Sequence, residues 1–183
     1  MLDPKKHPPV YKIASEFRLL GWISFWFQVV LAIVAAGMLL LGAAGLRNTA
    51  GAGGSLFFAL CGLIALGVGA YWAFGYPRMG RQLAVVDKTV RPSRAETLAL
   101  LRKGILTNMI GLALIILGAE AFSGSLFFKA ARQGLGVGGL LGADPSELIQ
   151  LVDIFVVLAN THIIAAHFTA IAISLWLLNR VAR

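Results

Sequence analysis

The sequence predicts an all-α integral membrane protein with four transmembrane helices, and three observations lead to this class. Its 183 residues are 58% hydrophobic and only 13% charged, whereas soluble domains carry about 25% charged residues. The mean hydropathy is +0.83. Four long stretches are almost free of charge, and roughly 20 apolar residues suffice to cross about 30 Å of hydrocarbon. Such stretches must be helical, because lipid offers the backbone no hydrogen-bond partners.

The positions of the charged residues set the predicted spans. No formal charge lies between Arg18 and Arg47, and none lies in residues 48–77. Glu120 alone interrupts the apolar run 104–128, and residues 154–179 contain no Asp, Glu, Lys or Arg. We therefore predict a single membrane domain over residues 1–183, with transmembrane helices at about 19–44, 55–76, 104–128 and 154–179.

Three local patterns refine the helix ends. An apolar stripe at helical spacing predicts a short interfacial N-terminal helix before the first span; its residues are Val10, Ile13, Phe17 and Leu20. Ser93 and Glu96 have the spacing of a capping box, which predicts that the third helix begins near residue 94. Asp144 followed by Pro145 predicts a short surface helix ahead of the fourth span.

The basic residues predict the orientation. Of the 16 lysines and arginines, 13 lie in the N-terminal tail, the connection between spans two and three, and the C-terminus. These three segments share one side of a four-span protein, and the positive-inside rule makes that side cytoplasmic, or stromal in a plastid. Aromatic residues cluster at the same predicted face, as an interfacial belt would: Trp22, Trp26, Trp72, Tyr76 and Trp176. Both termini are thus expected to be cytoplasmic.

Glycines at seven-residue spacing predict close helix packing. Gly104, Gly111 and Gly118 form a triple repeat in the third span, and Gly62 and Gly69 repeat once in the second. A repeat of seven keeps one stripe of a helix small, so that a neighbouring backbone can approach. A hinge or a substrate path along this stripe is the functional alternative.

Glu120 is the most informative single residue, because an ionisable group within a span costs roughly 2.5–3.5 kcal/mol on insertion scales. His162 lies nine residues after Asp153, at nearly the same predicted depth if the last two helices are antiparallel neighbours. A Glu120–His162 pair with Asn160 nearby is therefore predicted. The structural interpretation of this pair is a carboxyl group that only fixes helix packing. The functional interpretation is a proton relay or a cation site.

Other polar residues extend this candidate intramembrane path without forming a known catalytic or metal signature. The path consists of Glu120, His162, His167, Asn160, Asp153 and Asn108. His162 and His167 are five residues apart, about 140° around a helix, so they do not share a face as paired metal ligands would. The metal content is left open, no cofactor is predicted, and no nucleophile with a base indicates an enzyme. The basic residues flank spans, which favours lipid headgroups over nucleic acid as their partner.

Several stretches together resemble a known family. They are 21–28, 74–76 with Arg78, 103–105 with Asn108 and Gly111, 152–155, 159–161 and 166–168. In order and spacing they are similar to a cyanobacterial and plastid family of four-helix membrane proteins. Its chloroplast inner-envelope member has two proposed roles, one as a subunit of the Tic protein-import translocon and one as an iron permease. The resemblance covers all four spans.

The resemblance implies a photosynthetic source, in a cyanobacterial plasma or thylakoid membrane or in the chloroplast inner envelope. Because no transit peptide is apparent, the cyanobacterial location is the expectation. The family pattern carries over to Asp153, Asn160, His167, Gly104, Asn108 and Gly111, whereas Glu120 and His162 depart from it. We expect permease-type transport of iron or another cation, as a homo-oligomer; the alternative is a non-catalytic subunit of a protein translocon or membrane assembly machinery.

Overall fold

Four long helices form an antiparallel bundle in the computed structural model, which describes residues 8–45, 52–85, 87, 91–134 and 149–182. Helix α1 spans Pro8–Gly45, α2 Ala52–Leu83, α3 Arg94–Gly134 and α4 Leu151–Ala182. The predicted all-helical class is confirmed, and each of the four helices is long and apolar enough to cross a membrane. The predicted helix after Asp144 lies outside the described residues.

The helices are arranged in a ring in chain order. Helix α1 packs on α2 and α4, and α3 packs on the same two helices, while α2 and α4 also touch across the diagonal. The bundle therefore has a basic end, where α1 and α3 begin and α2 and α4 finish, and an opposite end. Most of the outer surface is apolar, with side chains such as Ile33, Ile64 and Phe168 about two-thirds exposed.

The helices run further than the apolar stretches that predicted them. Helix α2 continues past Pro77 to Leu83, and the Pro77 ring packs against the backbone of Gly21, where a Cβ would lie 2.6 Å from Pro77 Cδ. Helix α3 extends beyond residue 128, so that Lys129, expected in a connection, is helical. Charged residues indicate where a helix is expected to leave the hydrocarbon layer. They do not indicate where the backbone hydrogen bonds of the helix end.

The expected separate N-terminal helix is instead the first part of α1, which is continuous from Pro8. Its apolar stripe packs inward: Phe17 is fully buried, and Ile13 and Leu20 pack on the same cluster. Periodicity shows that one face of a helix is apolar, but it does not show whether lipid or protein covers that face. The neighbouring helices cover it.

The capping box at the start of α3 is confirmed. The Glu96 amide donates to Ser93 Oγ at 3.1 Å, and the Ser93 amide donates to Glu96 Oε2 at 2.8 Å. Replacing Ser93 with alanine is expected to destabilise this first turn by about 1 kcal/mol. Amide hydrogen exchange should accelerate at residues 94–97 and not in the middle of α3. Unchanged exchange there would show that the cap contributes nothing to the helix start.

Candidate functional site

A buried polar layer divides the interior of the bundle. Towards the opposite end lies an apolar cluster that includes Leu66, Ile115 and Ile163. Towards the basic end lies a second, which includes Phe17 and Leu177. Every helix contributes a polar group to this layer, and the three side chains involved are at most 1% exposed: Gln28, Asn108 and His167, together with the carbonyl of Gly62.

His167 joins three helices. Its Nδ1 lies 2.9 Å from Asn108 Oδ1 on α3, and its Nε2 lies 3.1 Å from the Gly62 carbonyl oxygen on α2. Asn108 is held in turn by its own helix, since its Nδ2 donates to the Gly104 carbonyl at 2.8 Å. The ring is thus fixed from two sides in the middle of the bundle.

The surroundings of His167 constrain its proton. Both ring nitrogens face carbonyl oxygens, which only accept hydrogen bonds, whereas a neutral imidazole has one N–H to donate. Both contacts are hydrogen bonds if the ring carries two protons. With one proton the ring donates to only one of the two oxygens, and the second contact is a hydrogen bond only if the Asn108 amide is turned so that its NH₂ group faces Nδ1. The hydrogen bonding of His167 therefore depends on the orientation of the Asn108 amide.

Glycines make the space for this layer. A Cβ at Gly111 would collide with the imidazole of His167, and one at Gly69 would lie 2.7 Å from Asn108 Oδ1 and 2.9 Å from Gln28 Oε1. The other glycines of the predicted packing stripes also lie at crossings. A Cβ at Gly62 would lie 2.9 Å from Ile115 Cβ, one at Gly118 3.0 Å from Phe58 Cβ, and one at Gly104 would meet the Tyr76 hydroxyl.

Gln28 is held less completely. Its Nε2 donates to the carbonyl and the Oγ of Ser24, each at 3.1 Å. Its Oε1 is buried and has no hydrogen-bond partner among the described residues. A buried acceptor without a partner costs about 1–3 kcal/mol. The layer therefore has one open acceptor beside Asn108.

Tyr76 and Ser174 form a second polar contact that the sequence did not reveal. Their hydroxyl oxygens are 2.9 Å apart, and both residues are 1% exposed. The assignment of Tyr76 to an interfacial belt is thus wrong, although Trp26 and Trp176 of that belt are more than half exposed. Ser174 lies seven residues after His167 and therefore on the same face of α4. This spacing is the sequence signal that could have identified Ser174 as an interior polar residue.

Asp153 does not belong to the polar layer. Both its carboxylate oxygens accept from Lys129 Nζ at 3.0 Å, and the Gln150 amide donates to Oδ2 at 2.8 Å. Asp153 is fully buried and Lys129 is 9% exposed. Asp153 therefore joins α3 to α4 and caps the start of α4, near the opposite end. Lys129 was missed because the sequence placed it in a connection.

The remaining predicted path residues are separated. Glu120 is exposed on α3, and His162 on α4 has its Nδ1 2.6 Å from its own helix's Leu158 carbonyl. Asn160 is 3% exposed, and its Oδ1 lacks a hydrogen-bond partner within the described part of the chain. Among these residues no hydrogen bond or ion pair joins Glu120 to His162. Of the six, the structure brings together only Asn108 and His167.

The described residues contain no group of three or more His, Cys, Asp or Glu side chains placed to hold a metal ion. The fold and its polar layer define a four-helix bundle whose helices could each span a membrane. The chain belongs to the family described as "Protein of unknown function (DUF3611)", whose profile matches residues 7–182.

A curated relative agrees with the resemblance stated from the sequence. The chain is 30% identical over 175 residues to "Protein TIC 21, chloroplastic" of Arabidopsis thaliana, and the match covers 93% of this chain. The chain spans 58% of that protein's length. No solved structure matches the chain.

Proposed function

We propose that this chain is a non-catalytic membrane subunit of a transport or protein-import assembly, which acts through contacts with other membrane proteins. The observation that carries the proposal is the tight packing at the centre of the bundle. All five glycines of the predicted packing stripes admit neighbouring side chains to within contact distance, so a translocated molecule would have to separate helices that are joined by His167. The resemblance to a family whose chloroplast member has a proposed role in the Tic import translocon supports import as the process.

The central layer also serves such a role chemically. Two contacts of His167, to Asn108 and to the Gly62 carbonyl, cross between helices. Interhelical hydrogen bonds within a membrane stabilise association by about 0.6–2 kcal/mol each. A bundle fixed in this way presents a defined outer surface to partner helices. We further propose that both termini lie on the cytoplasmic or stromal side, in a cyanobacterial membrane or the chloroplast inner envelope, as the basic end supports.

A second candidate is a permease for iron or another cation, and one observation favours it. Gln28 Oε1 is an open acceptor in the same layer as His167, whose Nδ1 lies 2.9 Å from Asn108 Oδ1. Carbonyl oxygens and an imidazole can act as weak cation ligands. In this candidate, ions would pass the layer when Asn108 turns.

Metal flux into proteoliposomes separates the two candidates. The purified full chain is reconstituted, and ferrous iron uptake is compared with that of empty liposomes and of the His167→Ala variant. The subunit proposal expects uptake at the level of empty liposomes for both proteins. Saturable uptake that falls in the variant would overturn it and support the permease.

A second measurement tests the subunit proposal directly. The tagged chain is extracted gently from membranes of its native host, and the mass of its complex is compared with that of the recombinant chain alone. We expect a discrete complex heavier than the recombinant assembly. Equal masses, after extraction verified to retain another known membrane complex, would contradict a role in a larger assembly.

A further inference from the structure

Glu120 and His162 are polar groups that the bundle leaves on its outer surface within the spans. Glu120 is exposed, and His162 is partly exposed. Neither side chain contacts the polar layer, and Glu120 has no hydrogen bond or ion pair within the described chain. Because a carboxyl group that faces hydrocarbon is energetically unfavourable, such residues usually have a partner.

The two residues lie on different sides of the bundle. Glu120 is midway in sequence between Gly118 and Phe122, which both face the interior, so it points away from the core. His162 lies 11 and 18 residues before Ile173 and Arg180, spacings that keep the three on one helix stripe. That stripe faces α1: Arg180 binds Glu16, and Ile173 lines a groove with Leu19.

Their depths nevertheless agree. The Lys129–Asp153 ion pair fixes the register of α3 and α4. Glu120 is nine residues before Lys129 and His162 is nine after Asp153, which places both about 14 Å from that pair at 1.5 Å per residue. The Gly111–His167 contact gives a second reference level, from which Glu120 is nine residues away on α3 and His162 is five residues away on α4. By this measure the backbone of Glu120 lies about 6 Å nearer the opposite end than that of His162. Side chains lean towards the start of their helix, which brings the carboxyl and imidazole groups of the two antiparallel helices back to one level.

The chemistry of the two groups is complementary. The Leu158 carbonyl accepts from Nδ1–H of His162, which leaves Nε2 free to bond outward. The carboxyl group of Glu120 can donate to Nε2, or accept from it if the proton resides on the ring. A single proton therefore satisfies both groups, and the pair as a whole is neutral or a compensated ion pair.

We propose that copies of this chain associate within the membrane, with Glu120 of one copy bonded to His162 of the partner subunit. The α3 surface of each copy thus packs on the α1–α4 side of the next. Because the two surfaces differ, the contact is heterologous, and repetition closes a ring or continues as an open row.

The α3 surface near Glu120 suits close packing. Ser123 is exposed, and a Cβ at Gly124 would meet no atom within 4 Å, so the next turn leaves room for a neighbouring backbone. Small residues beside one polar side chain are typical of helix contacts in membranes. The large exposed side chains Leu117 and Phe127 flank this gap.

Disulfide cross-linking in membranes tests the contact. In a Cys61→Ser background, Glu120→Cys and His162→Cys are placed on two full-length chains with different tags, and both are co-expressed and mildly oxidised. We expect a disulfide between the differently tagged chains. The matched control replaces His162→Cys with Thr161→Cys, which is exposed one residue away on another side of α4, and this pair should cross-link at least about five-fold less.

Two outcomes would overturn the proposal. Cross-links between two Glu120→Cys chains with none to His162→Cys would indicate a symmetric α3 contact. No cross-link in either combination, together with no energy transfer between labelled chains in liposomes, would show that Glu120 faces lipid alone.

Energy transfer between labelled full-length chains adds a second test. Here the parent chains keep both Glu120 and His162, and their association is the reference for the variants. Glu120→Ala or His162→Ala is expected to weaken association about five-fold, the effect of losing an intramembrane hydrogen bond of about 1 kcal/mol. The double exchange Glu120→His with His162→Glu should restore it. Failure of the exchange, with folding verified by thermal unfolding, would show that the two residues do not meet.

Discussion

Replacing Gly111 with leucine is expected to lower the stability of the bundle more than other single changes. A side chain there would collide with the His167 ring and lie 2.8 Å, already at Cβ, from Ala65 Cβ. Overpacking a core costs about 1–3 kcal/mol, and here it also displaces His167 from Asn108 and Gly62. We therefore expect a loss of at least about 3 kcal/mol, measured as the free energy of unfolding in detergent.

Gly67→Leu is the matched control for this change. Gly67 lies on α2 at nearly the level of Gly111, is exposed, and has no atom within 4 Å of a built Cβ. The variant should keep the unfolding transition of the parent protein. Equal destabilisation by the two leucines would mean that added bulk, and not contact with His167, decides stability.

Removing the positive charge of Lys129 is the second change with a large expected effect. In Lys129→Met the Asp153 carboxylate stays buried without its cation, and breaking a buried pair in this way costs about 3–5 kcal/mol. The variant should unfold at lower denaturant concentration, with the start of α4 losing protection first in hydrogen exchange.

Two further variants separate the charge from the packing. Lys129→Met combined with Asp153→Asn should recover much of the loss, because no charge is then left unpaired and the asparagine keeps an acceptor for the Gln150 amide. Glu16→Gln breaks the more exposed pair with Arg180 and should cost only about 0–1 kcal/mol. A double variant no more stable than Lys129→Met would show that the ion pair is not the cause.

Much of the candidate site was within reach of the sequence. Asn108 and His167 are polar residues in apolar runs, and such residues usually face a bundle interior. The glycine repeats could be found by their spacing. The partners of these residues could not be found, because a sequence gives positions on one helix and not the rotation of the next. Glu120 illustrates the limit: its depth was predictable, and the side it faces was not.

The sequence by itself determined the number of candidate spans and the capping of α3, because these depend on composition and on residues close in the chain. It also determined the family, because the resembling stretches can be compared without a structure. Tertiary structure alone decided which faces meet. It buried Tyr76 against Ser174, turned the N-terminal stripe inward, and paired Lys129 with Asp153. These outcomes depend on the relative rotation and register of four helices. Many small packing contacts between the helices together set that rotation and register, and no local sequence pattern specifies them.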